Sequence, residues 1–136
     1  MKSPERVYLI DTDVILRYLL GDHPEFSPKA ESFMKDVSEG RKKAEILDVV
    51  TVECIYVLGK YYQVSKGEIV EKLSGILNFS GIANSNRAET LTALVKYRDS
   101  NIDIVDCILA AKSSPSKLIV SFDRDFEELK AVTESP

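Results

Sequence analysis

Val7-Tyr8-Leu9-Ile10-Asp11-Thr12-Asp13-Val14-Ile15-Leu16-Arg17-Tyr18-Leu19-Leu20 is the stretch in which two kinds of element meet. Val7–Ile10 is a continuous apolar run, the pattern of a strand covered on both faces in a parallel sheet. Val14–Leu20 is apolar as well and reads as helix. The acid Asp11 directly follows the strand. A strand leading through a polar junction into a helix is the repeating unit of an α/β sheet.

The same alternation recurs along the chain. Ser27 followed by Pro28 reads as an N-cap with proline at the first helical position, opening a helix to about Gly40. Ile46–Val50 reads as a second buried strand, and Thr51–Tyr62 has helical spacing at Val52, Ile55 and Tyr56. Ser65-Lys66-Gly67-Glu68 fits a capping box ahead of an apolar face of Ile69, Val70, Leu73, Ile76 and Leu77. Asn86 with Glu89 opens a further helix bearing Leu91, Leu94 and Val95. Asp103 caps one that holds Cys107, Ile108 and Ala111 and stops before Pro115. Leu118–Phe122 is the last clear strand, Asp125–Lys130 a short final helix, and Gly81–Asn84 a weak strand. Apolar strands separated by helices give an α/β class, a parallel sheet with helices on both faces. The length of 136 residues suits one domain over 1–136.

Composition narrows the function classes. A hydrophobic fraction of 44% with 29% charged residues is that of an ordinary globular chain. No apolar run approaches the roughly 20 residues of a membrane span, and the N-terminus shows neither the apolar core nor the cleavage site of a secretory signal. A cytoplasmic protein is expected. Cys54 and Cys107 stand far apart in helical segments and read as free buried thiols. With His23 as the single histidine and only two scattered cysteines, the chain is poorly supplied for a tetrahedral zinc site. A net charge of −4 argues against a general nucleic-acid binder. It leaves room for a nucleic-acid enzyme whose acids are neutralised by metal ions. The basic residues at 41–43, 60, 66, 72, 96 and 98 read as solvated surface, His23 as a surface loop residue, and Tyr61-Tyr62 as packing.

The acids carry the chemistry. Asp11 follows the first strand, Glu53 lies in the first turn of the helix after the second, and Asp123 follows the last. Functional groups of open parallel sheets gather at the carboxyl ends of strands, so these three should share an edge. Asp106 joins them only if its helix starts there. Carboxylates grouped in a cleft repel and raise one another's pKa unless a divalent cation makes the ionised forms favourable. Hard oxygen donors select Mg²⁺, Mn²⁺ or Ca²⁺, and such ions suit phosphodiester hydrolysis without a Ser, Cys or His nucleophile. Each acid also has a plain structural role open to it. Asp103 suits a helix N-cap, Asp106 and Glu53 suit first-turn acids on a helix dipole, and Asp13 and Asp125 suit turns or caps. Asp11 is harder to explain away, because an acid ending a buried strand needs a hydrogen bond, an ion pair or a metal.

Leu9 to Leu20, quoted above, resembles the opening of PIN-domain proteins of the VapC type, the ribonuclease toxins of toxin–antitoxin pairs, with Thr12 and Asp13 after the first acid. Val52-Glu53-Cys54-Ile55-Tyr56-Val57-Leu58 is similar to the second motif, Asp103-Ile104-Val105-Asp106-Cys107-Ile108-Leu109-Ala110-Ala111 to the third, and Val120-Ser121-Phe122-Asp123-Arg124-Asp125-Phe126 to the fourth. Cys107 departs from the family's small residue and Asp13 from its frequent asparagine. The resemblance implies a three-layer α/β/α sandwich around a mostly parallel sheet of about five strands. It implies Asp11, Asp106 and Asp123 as ligands of Mg²⁺ or Mn²⁺ and Glu53 as a further ligand or a base orienting water. Asp103 and Asp125 become auxiliary acids, and Thr12 and Ser121 the hydroxyls that hold the acids. It also implies an RNA substrate, a homodimer and a small antitoxin partner.

Other readings compete. Asp11-Thr12-Asp13-Val14 also resembles the first motif of haloacid-dehalogenase-like phosphatases, but that leaves Glu53 and Asp106 without work. A receiver-like signalling domain would need a lysine after a late strand, where this chain has Asp123-Arg124. A housekeeping PIN nuclease and a PIN scaffold that binds without cutting share the same acids.

Overall fold

The computed structural model describes residues 5–136. The chain divides into two compact units, Met1–Ser85 and Asn86–Pro136.

The first unit opens with β1 (Val7–Leu9), which leads through Asp11 into α1 (Thr12–Leu20). The helix starts two residues before the apolar run because Asp11 is its N-cap, accepting a hydrogen bond from Thr12 N–H at 2.9 Å. α2 (Phe26–Ser38) follows, then β2 (Lys43–Glu45), α3 (Asp48–Tyr56), a π-helical turn (Val57–Tyr61) and α4 (Lys66–Leu77). β1 and β2 pair in parallel, Val7 opposite Lys43 and Leu9 opposite Glu45. A single parallel bridge from Ala44 to Ile82 adds a third chain segment. That segment stays short because the side chain of Asn84 takes over from the backbone. Its Oδ1 accepts from Ile46 N–H at 2.9 Å and its Nδ2 donates to Ile46 C=O at 2.7 Å. Ile15, Met34, Val37, Ala44, Ile55, Leu58, Ile69 and Leu77 are fully buried, and α1 packs on both α2 and α3.

Several expectations need correction here. The second strand is Lys43–Glu45, and Ile46–Val50 runs instead into α3, whose first residue is Asp48. Glu53 therefore sits in the second helical turn. Among the described residues, β1 is covered on one face only: Tyr8 packs edge-on against Phe33, with ring centroids 5.6 Å apart, and Ile10 is buried. Val7 and Leu9, on the opposite side of the pleat, are exposed. Ser27 lies inside α2, where its hydroxyl accepts from His23 N–H and donates to Arg17 C=O. The capping work falls to His23, whose Nδ1 accepts from the N–H groups of Glu25 and Phe26. The capping serine of α4 is as expected, Ser65 Oγ accepting from Glu68 N–H. Tyr61 is exposed, so packing does not explain it.

The second unit holds α5 (Arg87–Arg98), α6 (Ile104–Lys112), β3 (Ile119–Val120), α7 (Asp125–Glu128) and β4 (Thr133–Glu134). α5 packs on α6, and Leu94, Ile104, Cys107 and Phe126 are buried. β3 pairs in parallel with β4, Ile119 opposite Thr133. Lys96 belongs to this framework rather than to a solvated surface, its Nζ donating to Leu129 C=O at 2.7 Å. The basic residues Arg41, Lys42, Lys43, Lys72 and Arg98 pair with nearby acids at the surface. Among the described residues, no helix is long and apolar enough to cross a membrane.

The strands pair in parallel and alternate with helices, so the α/β class holds. The described pairings form two two-stranded sheets.

Candidate active site

The first unit supplies Asp11 and Glu53. Asp11 is exposed at the end of β1, so desolvation does not force a partner on it, and capping α1 occupies one of its oxygens. Thr12 beside it is buried, and its Oγ1 is left without a hydrogen-bond partner among the described residues. A buried hydroxyl in that state costs free energy, and it stands one residue from the acid it was expected to support. Glu53 is exposed on α3. The fields of Glu53 and Asp11 converge on one group, the fully buried Cys54 thiol. Burial first, then Glu53 and Asp11, push it up to about 12. In the sequence Cys54 reads only as a buried thiol, and nothing there marks it as the point where these two fields meet.

A thiol held that high is about one part in ten thousand thiolate at pH 8, and the thiolate is the reactive form. Cys54 should therefore resist iodoacetamide at pH 8 in the native protein and react at the rate of a free cysteine in guanidinium. Mass spectrometry of the alkylated peptides decides this, and rapid native labelling of Cys54 would refute it.

The second unit supplies the other acids. Asp103 caps α6, accepting from Val105 N–H at 2.9 Å. Asp106 sits one turn further, half-buried. Its carboxyl is raised above the ordinary aspartate range, chiefly by desolvation and then by the negative charges of Asp123, Asp103 and Asp125. Four acids from the third and fourth motifs thus act within one local field. Asp123 Oδ1 accepts from Asp125 N–H at 2.8 Å, while Ser121 Oγ accepts from Asp123 N–H at 2.9 Å. Ser121 holds the backbone of the acid rather than its carboxylate. Asp125 is the first residue of α7, and the capping at that turn comes from Asp123.

Among the described residues, no three His, Cys, Asp or Glu side chains are gathered tightly enough to enclose an ion. The donor chemistry nevertheless fits a hard divalent cation. The candidate donors are all carboxylate oxygens. Asp106 carries an uncompensated repulsion that a cation would relieve, and the Thr12 hydroxyl is an unspent polar group beside Asp11.

An α/β chain that carries acids at strand ends and helix starts in this order fits a nuclease-type fold. The PIN domain family matches residues 8–132, through both units, and the chain belongs to that family. It is 28% identical over 130 residues to a VapC ribonuclease of Aquifex aeolicus (strain VF5), covering 94% of this chain and 96% of that protein. The family match sets aside the phosphatase and receiver readings.

Proposed function

We propose that this chain is a metal-dependent endoribonuclease and the toxin of a toxin–antitoxin pair. The observation that carries the reading is the match of residues 8–132 to the PIN domain family, supported by the grouping of Asp103, Asp123 and Asp125 around Asp106, whose carboxyl they raise together with burial. The toxin role and the small antitoxin partner rest on the likeness to the VapC ribonuclease, and the homodimer and the cytoplasmic location on the resemblance of the four motifs to VapC-type proteins. The finer architecture, one domain built as a three-layer sandwich around about five strands, rests on the family alone.

In this reading Asp11, Asp106 and Asp123 hold Mg²⁺ or Mn²⁺. When bound, the ion supplies a Lewis acid that stabilises charge on the phosphate oxygens and lowers the pKa of water. Glu53 orients the attacking water and accepts its proton. Ser121 fixes the turn that presents Asp123, the Thr12 hydroxyl stands beside Asp11 to support it, and Asp103 and Asp125 add negative potential that favours the cation. A net charge of −4 gives little general attraction for RNA, so specificity falls to local shape and unpaired bases.

The purified protein should cut RNA in Mn²⁺ or Mg²⁺, lose that activity in EDTA, and lose it on Asp11→Asn. Cleavage that survives both treatments would end the metal assignment. A cognate small protein that inhibits cleavage stoichiometrically favours the toxin over a housekeeping nuclease.

A further inference from the structure

A cavity of about 470 Å³ lies between α1 and α2, with Asp13, Arg17, His23, Phe26 and Lys29 in its walls. That volume is within the roughly 300–1,000 Å³ typical of small-ligand sites. Asp11 is the N-cap of α1 and Asp13 lies in its first turn, two residues further along the chain.

Two features separate this cavity from a chance surface hollow. The first is a preformed stack. The rings of His23 and Phe26 lie 4.3 Å apart and within 9° of parallel. The His23 ring is fixed by its Nδ1, which accepts from Glu25 N–H at 3.2 Å and Phe26 N–H at 2.9 Å, so Nε2 carries the proton. Phe26 keeps 52% of its surface exposed, an apolar ring held rigidly in water at the rim of a cavity. The second is charge. Arg17 is fixed by bonds from Nη1 to Asp22 and Nη2 to the Tyr62 hydroxyl, and its Nε is buried without a partner among the described residues. Among the described residues Lys29 is tied only to Glu25, at 3.5 Å between side chains that are 71% and 64% exposed. An exposed pair of that kind contributes little, so Lys29 can exchange Glu25 for another anion at small cost.

A flat ring with an open face, a loosely held ammonium and a carboxylate acceptor match the parts of one nucleotide. Unpaired RNA bases stack on aromatic side chains while their phosphates meet lysine. We propose that this cavity takes a single unpaired nucleotide of the RNA beside the cleavage point, its base stacked on Phe26 and its phosphate on Lys29. Asp13 offers an acceptor to an exocyclic amine, as carboxylates do to cytosine N4, so adenine, cytosine and guanine are favoured over uracil. The inference rests on the ribonuclease reading and adds where the substrate's sequence is read.

The test measures binding of fluorescein-labelled, single-stranded 12-nucleotide RNAs by anisotropy in EDTA, where the ribonuclease reading predicts no cleavage. Wild type, Phe26→Ala, Phe26→Trp and Lys29→Ala are compared, with thermal melts to establish that each variant folds. Phe26→Ala should weaken binding roughly tenfold or more and Phe26→Trp restore it. Lys29→Ala should lower the salt-dependence slope by about 0.7. In Mn²⁺, Phe26→Ala should flatten the discrimination against uracil. Wild-type affinity and an unchanged cleavage pattern in Phe26→Ala would overturn the nucleotide pocket and leave the ribonuclease reading standing. If the wild type binds RNA through Phe26 but cuts none in Mn²⁺, the pocket stands and the ribonuclease reading falls. Loss of a co-expressed protein partner by Phe26→Ala, with RNA binding intact, would make the cavity a protein-docking site and refute the proposal.

Discussion

Asp106→Asn is expected to abolish RNA cleavage and, at the same time, to raise the melting temperature of the metal-free protein at neutral pH. Changing a residue that merely orients a metal ligand commonly costs 10–100-fold in metal affinity or activity, so loss of a ligand should exceed about a hundredfold. The stability change follows from the raised carboxyl of Asp106. In the native state, burial and the charges of Asp123, Asp103 and Asp125 disfavour the ionised form; in the unfolded chain those influences are gone. The native state therefore binds more protons than the unfolded one between the ordinary aspartate value of 3.8 and the raised native value. Stability falls as pH rises through that window, and the full penalty stands above it. Asparagine keeps the shape and removes the charge. The variant should melt higher than wild type in EDTA at pH 7, with the gain vanishing below about pH 3.8, where both states of the wild type are protonated. Manganese should raise the wild-type melting temperature by mass action and do much less for the variant. A variant that melts no higher than wild type at pH 7 would show that Asp106 carries no such repulsion.

That prediction depends on a part of the molecule the sequence makes legible. Asp103 as the cap of α6 and Asp106 one turn later follow from helix-start chemistry, and the structure keeps both roles. β1 and α1 are legible from their apolar runs, Val7–Ile10 and Val14–Leu20, whereas the Asp11 cap that starts α1 two residues earlier shows only in the structure. The misplaced second strand has a physical origin. Ile46-Leu47-Asp48-Val49-Val50 is apolar and β-branched, yet it straddles the end of a strand, an extended N-cap at Leu47 and the first turn of α3, where Asp48 suits the helix dipole. The true strand, Lys43–Glu45, buries only Ala44 between two charged residues, so it shows no apolar run. β4, two exposed residues at Thr133–Glu134, has no periodicity to detect. In the site, the residue types were readable and their local bonding was not. The sequence places Ser121 near its acid, but only the turn geometry shows the hydroxyl on the Asp123 backbone.

Gly81→Ala should be the most damaging small substitution in the first unit, lowering stability by about 3 kcal/mol or more. Gly81 sits where the end of α2 meets β2. Its N–H donates to Val37 C=O at 2.8 Å and its C=O accepts from Ala44 N–H at 2.9 Å. A methyl group there would lie 2.1 Å from Lys42 O, 2.6 Å from Val37 O and 3.2 Å from Val37 Cα. All three neighbours are backbone, so no side chain can rotate away, and relief requires the segment to move. Movement breaks both hydrogen bonds and pulls Ile82 off its bridge with Ala44, exposing two buried apolar residues. The melting temperature should fall by about 10 °C on the size scaling for small domains. Gly75, inside α4, is the control, because a methyl group added there would meet nothing within 4 Å. Gly75→Ala should stabilise by up to about 1 kcal/mol through helix propensity. Because β2 leads directly into the helix that presents Glu53, Gly81→Ala should also weaken cleavage below the temperature at which it melts. Equal melting temperatures for the two alanine variants would show that the contact at Gly81 is slack.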